Sequence, residues 1–176
     1  MATCTCRIPL IATSSPESVA EEIERKFLVI GDAWRGLAAP AYLCQGYLSI
    51  DPQRTVRVRL ADNDAWLTVK GSNHESTRLE FEYEIQKSDA REMLDVLCLR
   101  PLLEKRRSRI PHAGLIWEVD EFLAENAGLI VAEVELASAD QHVELPEWAG
   151  KEVTGEARYY NSSLLKNPYS HWRESV

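Results

Sequence analysis

At 176 residues the chain suits one compact domain with a sizeable core, and its 45% apolar and 27% charged content is that of an ordinary soluble globular protein. A net charge of −8 argues against nonspecific binding to nucleic acid or to an anionic membrane. No apolar run reaches transmembrane length, and the four cysteines, Cys4, Cys6, Cys44 and Cys98, make no zinc or disulfide framework, so a reducing, cytoplasmic setting is expected.

Residues 1–19 show no period and carry Ser14, Ser15 and Pro16, which predicts a poorly ordered tail ahead of a single domain over 20–176. From there, period-two alternation predicts strands over 22–29, 43–50, 55–61, 65–70, 78–86, 103–110, 115–122 and 130–138. Asp62-Asn63-Asp64 and His112-Ala113-Gly114 read as hairpin turns. Between strands, a short helix is expected over 32–37 with Asp32 as its cap, and a longer one over 89–98 capped by Ser88. A turn or two of helix is expected over 139–145, stopped by Pro146, and a last helix over 158–165. The sum is an α+β chain: roughly eight antiparallel strands and a few short helices.

The polar faces of these strands are unusual. Positions i and i+2 of a strand share a face. Glu22, Glu24 and Lys26 fall together, as do Arg57 with Arg59, Thr68 with Lys70, and Arg78 with Glu80, Glu82 and Glu84. Lys105, Arg107 and Arg109 follow, then Glu118 with Asp120, and Glu133 with Glu135. A solvated face on one strand would explain any of these alone. Repeated same-sign doublets are harder to explain that way, because like charges so close repel unless a counter-ion sits between them. Paired carboxylates attract a hard divalent cation and paired bases attract phosphate, so together they point to a metal–polyphosphate ligand inside a closed sheet. The apolar faces then point outward, with the helices and the C-terminal segment as covers, and eight strands enclose room for side chains and a small ligand.

The segment Glu22-Ile23-Glu24-Arg25-Lys26 resembles the E-x-E-x-K signature of the CYTH superfamily, the triphosphate tunnel metalloenzymes. The likeness continues in order through Gln45-Gly46-Tyr47-Leu48, Val56-Arg57-Val58-Arg59, Leu67-Thr68-Val69-Lys70-Gly71 and Arg78-Leu79-Glu80-Phe81-Glu82. It runs on through Glu104-Lys105-Arg106-Arg107, Trp117-Glu118-Val119-Asp120, Ala132-Glu133-Val134-Glu135, Glu152-Val153-Thr154-Gly155-Glu156 and Arg158-Tyr159-Tyr160-Asn161. This resemblance implies an eight-stranded antiparallel tunnel with a triphosphate along its axis and Mg²⁺ or Mn²⁺ bound. Among its members, the chain looks closest to the bacterial inorganic triphosphatases. Cys44 and Ala157 depart from bases found at those places in some members.

On this reading Glu22, Glu24, Asp120, Glu133 and Glu135 hold one or two metal ions, one on the triphosphate oxygens and a second lowering the pKa of the attacking water. Lys26, Arg57, Arg59, Lys70, Lys105 and Arg107 clamp the phosphates, and Lys105, Glu22 and Glu133 are the expected catalytic residues. Glu80, Glu82 and Arg158 take supporting roles, and Glu80 and Glu82 serve equally well as structural ion pairs. Trp66, Trp117 and Trp148 are expected in the core on the outside of the barrel rather than as base-stacking residues. The partner is a small anionic triphosphate, neither nucleic acid nor membrane, and a second copy of the chain is the one protein partner the reading allows. An organic triphosphatase or adenylate cyclase in the same tunnel, and a polyphosphate-binding module without turnover, are the alternatives.

Overall fold

The computed structural model describes residues 23–62, 64–74 and 77–172. The expected tail and Glu22 lie outside the described residues. The eight expected strands are present, with ends moved by a few residues: β1 (Ile23–Val29), β2 (Ala41–Asp51), β3 (Arg54–Ala61), β4 (Asp64–His74), β5 (Thr77–Glu84), β6 (Leu103–His112), β7 (Leu115–Phe122) and β8 (Ile130–Leu136). A ninth, β9 (Ala149–Glu152), pairs with the free side of β1. Its four residues are too few and too mixed to show a period. Backbones close in there: a Cβ on Gly150 would meet Ile30 Cγ2 at 2.7 Å and the Leu28 carbonyl at 3.0 Å.

All nine strands form one antiparallel sheet in the order β5-β4-β3-β2-β6-β7-β8-β1-β9. Among the described residues β5 and β9 are not hydrogen-bonded to each other, so the expected tunnel-like fold is present as a curled sheet with those two strands at its edges. The β6–β7 turn is a two-residue hairpin in which Ala113 and Gly114 both have positive φ, at 48° and 80°. That is the handedness a tight hairpin needs to follow the strand twist.

Apolar side chains cover the outer face in two patches. Around β1, β7 and β8, Phe27, Trp117, Val119, Ala132 and Val134 pack with Trp34, Val143 and Trp148 from connecting segments. Segment 32–37 is a run of turns, not the expected helix, because Gly31 and Gly36 take positive φ on either side and buried Trp34 pins the middle to the sheet. Segment 139–145 is likewise not helical. It makes a turn at 139–140 and then has no regular structure, and both Val143 and Trp148 pack onto that face.

The second patch lies over β2, β3 and β4. Val58, Ala65 and Cys44 meet Ala90, Leu94 and Cys98. These last come from α1 (Lys87–Glu92) and the π-helical turn Met93–Leu97 that continues it. The helix begins earlier than expected, and Gln86 rather than Ser88 sits at its cap position, without a side-chain cap bond. Among the described residues no segment covers the outward face of β5, where Leu79, Phe81 and Tyr83 are each at least 50% exposed.

The C-terminal segment does something other than cover the outer face. Leu28, Leu103, Phe122 and Val131 lie on the inward face by register, at the end of the lumen away from Glu24 and Glu118. They cluster with Val153, Tyr159 and Leu164, the last from α2 (Asn161–Lys166). The lumen is therefore polar along its open part and plugged by hydrocarbon at one end.

Candidate active site

Antiparallel pairing brings the doublets together. Register places Lys26 opposite Glu133, Glu133 opposite Glu118, and Arg107 opposite Asp120, all on the inward face. The side chains meet there. Lys105 Nζ donates to Asp120 Oδ2 at 2.5 Å. Arg107 donates from Nε to Asp120 Oδ1 and from Nη2 to Oδ2, both at 2.6 Å. Arg107 also bonds Glu118 through Nη1 and reaches Glu133 at 3.4 Å. Lys26 Nζ lies 2.8 Å from Glu133 and 3.6 Å from Glu24.

A second group of charges lines β3, β4 and β5. Arg59 donates to Glu82 at 3.0 Å, and Arg57 to Thr68 at 3.3 Å. Thr68, fully buried, donates its own hydroxyl hydrogen bond to Glu82 at 2.7 Å. Lys70 and Glu80 pair at 2.6 Å. The two groups sense each other across the lumen: Arg59 lies within electrostatic reach of Arg107 and Glu118.

Protonation follows from burial and neighbours. Burial would raise the Asp120 carboxyl, but Lys105 and Arg107 outweigh it and hold it below the usual carboxylate range. Burial pulls Lys105 below the ordinary lysine range, only partly offset by Asp120. Burial also opposes charge on Lys26, yet Glu133 and Glu24 more than compensate and raise it. Burial and the adjacent Arg57 lower Arg59.

Three carboxylates expected to bind metal, Glu24, Glu133 and Glu135, line one open cleft of about 250 Å³, together with Glu118 and Arg109. Glu118 appeared in the strand alternation beside Asp120 but received no role from the sequence; its place in this cleft supplies one. Oxygen donors of this kind suit Mg²⁺ or Mn²⁺. Among the described residues no three acidic, His or Cys side chains stand already gathered around a point, because the bases sit between them. Asp120 has both oxygens engaged by Lys105 and Arg107.

Arg158 stacks between Tyr159 and Trp172, 4.7 Å and 4.9 Å from their ring centres, on the C-terminal segment. That segment contributes in ways the alternation does not show. Lys26 N–H donates to Thr154 Oγ1 at 3.0 Å, and the Lys26 carbonyl accepts from Val153 N–H at 2.8 Å. The Tyr160 ring lies 5.6 Å from Lys26 Nζ. Both backbone groups of Lys26, expected from the sequence to clamp phosphate, are thus held by the segment that follows β9. Trp117 and Trp148 sit in the outer core as expected, whereas Trp66 does not: it lies on the lumen wall beside Arg59.

A curled antiparallel sheet whose inward doublets interleave acids and bases defines a class of polyphosphate-handling proteins, and comparison with known proteins agrees. The CYTH domain model matches residues 20–168, and the chain belongs to this family. It is 47% identical over 156 residues to an inorganic triphosphatase of Acetivibrio thermocellus, covering 89% of this chain and all of the relative. An inorganic triphosphatase of Nitrosomonas europaea is 36% identical over 149 residues, covering 81% of this chain and 95% of that one. The crystal structure of an inorganic triphosphatase superposes with a TM-score of 0.63 at 32% identity, covering 83% of this chain and 95% of the other.

Proposed function

We propose that this protein hydrolyses inorganic tripolyphosphate to pyrophosphate and phosphate with Mg²⁺ or Mn²⁺, acting as one domain from about residue 20. The observation that carries the reading is the convergence of Lys26, Lys105 and Arg107 with Glu24, Glu118 and Glu133 in a single lumen. The identity with two inorganic triphosphatases supports the same substrate. No described helix is long and apolar enough to cross a membrane, which accords with the cytoplasmic setting we favour.

In this mechanism Lys26 and Arg107 exchange their glutamate partners for phosphate oxygens, Lys105 adds a phosphate contact while keeping Asp120, and Arg57, Arg59 and Lys70 grip from the facing wall. Asp120 keeps Lys105 and Arg107 aimed inward, which preorganises charge where the transferring phosphoryl group needs it. Glu80 and Glu82 orient Lys70 and Arg59 in the same way. Of the acids expected to hold metal, Asp120 is assigned to Lys105 and Arg107 instead, and Glu24, Glu133 and Glu135, with Glu22, would hold one or two metal ions, which would supply positive charge against the triphosphate oxygens. Lys105, Glu22 and Glu133 remain the residues assigned to catalysis.

Phosphate release from tripolyphosphate, with and without EDTA, tests this directly. Release is expected with added metal and loss with chelator. Glu133→Gln should lower kcat by roughly a hundredfold or more, in line with removing one preorganised group, while circular dichroism stays native. Turnover that survives EDTA, or a Glu133→Gln enzyme at full rate, would refute the assignment.

A further inference from the structure

On β2, Cys44 and Gly46 face the helical cover, which turns Gln45 between them toward the lumen. Pairing on both sides fixes its place. Gln45 stands directly opposite Arg59 on β3 and Leu103 on β6. Arg57 and Lys105 are its diagonal neighbours on those two strands, within reach of long side chains. Leu103 belongs to the hydrocarbon plug. Gln45 therefore sits where the charged wall meets the plugged end, with three cations around it.

The side chain is 1% exposed, and among the described residues its Nε2 amide has no hydrogen-bond partner. Beside it, Arg57 and Arg59 also keep their Nε–H groups buried and unpartnered, while their Nη2 groups reach Thr68 and Glu82. Trp34 and Trp117 carry unpartnered N–H groups too, but those lie in the outer core, away from the lumen. A buried donor without an acceptor weakens a fold, so three side by side on one wall mark a place where an acceptor from outside belongs. Cations surround it, so the acceptor is an anion, and it needs several oxygens to engage several N–H groups at once. A phosphate group meets both demands. Glutamine suits such a wall. Burial and Arg57 already lower Arg59, so a fourth cation would add repulsion, whereas a carboxamide offers two N–H bonds without charge.

We propose that Gln45 is a substrate-binding residue: its carboxamide donates to an oxygen of the phosphate group that lies deepest in the lumen, and Arg57 and Arg59 give their Nε–H groups to the same phosphate. The assignment rests on the triphosphatase reading above and adds a neutral donor to its cationic grip.

The test compares the wild type with Gln45→Met, which keeps length and bulk but removes the donor, and with Gln45→Glu, which puts a carboxylate there. Affinity for tripolyphosphate is measured by calorimetry with EDTA present, so that no turnover intervenes, and kcat/KM is measured with Mn²⁺. Gln45→Met should weaken binding and lower kcat/KM by about tenfold or more, the scale of a hydrogen bond to a charged group. Its urea midpoint without ligand should equal or exceed that of the wild type, because a stranded donor has gone. Gln45→Glu should lose more affinity, since its carboxylate repels the phosphate. Wild-type affinity in Gln45→Met overturns the proposal. So does lost affinity accompanied by a lower urea midpoint, which would make Gln45 a packing residue. A wild type that binds tripolyphosphate but does not hydrolyse it with Mn²⁺ refutes the triphosphatase reading instead, and the affinity comparison still decides Gln45. A wild type that binds no tripolyphosphate overturns both.

Discussion

Asp120 is 1% exposed and accepts hydrogen bonds from two cations, one of them the fully sequestered Lys105. Removing one member of a buried ion pair leaves the other charge in a medium that solvates it poorly, at a cost of about 3–5 kcal/mol. Asp120→Asn should therefore destabilise the protein by that order at pH 7, measured by urea unfolding. The sign of the pH effect follows from the lowered carboxyl. A group whose native pKa lies below its unfolded value stabilises the fold above the unfolded value, about 3.9 for Asp, and that contribution fades as pH falls through the native pKa. The gap between wild type and Asp120→Asn should thus be full at pH 7 and shrink below about pH 4. A gap unchanged at pH 3 would show that Asp120 is not the charged anchor described. Alternation placed Asp120 on the inner face, but only the pairing of β6 with β7 shows that Lys105 and Arg107 share it.

At the scale of elements, the outer face of β2 is built around Gly46. A Cβ there would meet Cys98 Cβ at 2.7 Å, Cys98 Sγ at 2.8 Å and Leu102 Cδ2 at 2.9 Å. The strand has no slack, because Cys98 belongs to the backbone turn that ends the helical cover. Gly46→Ala should cost about 1–3 kcal/mol through overpacking, seen as a lower urea midpoint with an unchanged slope. A midpoint equal to the wild type would mean that the cover shifts freely. The eight long strands were legible because each alternates over enough residues to show its period. β9 was not, having four residues and a fold defined by backbone proximity to β1. The two expected helices at 32–37 and 139–145 failed for a related reason: Trp34, Val143 and Trp148 are recruited to one sheet face, a tertiary demand that outweighs local propensity.

Over the whole molecule, one sheet separates two environments. Outward, apolar patches bind the covering segments; inward, acids and bases neutralise each other, and on our proposal a polyanion and a cation take their places. The doublets made that division readable from the chain, and the strand pairing brings Lys26, Lys105, Arg107, Glu24 and Glu133 together in the lumen. The hydrocarbon plug escaped notice because Leu28, Leu103, Phe122 and Val131 lie on the charged face at one end, where simple parity expects more charge. The same parity argument placed Thr68 inward and passed over Trp66 two residues before it. The most direct test of the central claim is a crystal structure with tripolyphosphate and Mn²⁺, using the anomalous signal of manganese to find the metal. We expect phosphate oxygens within hydrogen-bond distance of Lys26, Lys105 and Arg107, and a manganese peak among Glu24, Glu133 and Glu135. Phosphate and metal bound on the outer face, with the lumen ion pairs intact, would contradict the account.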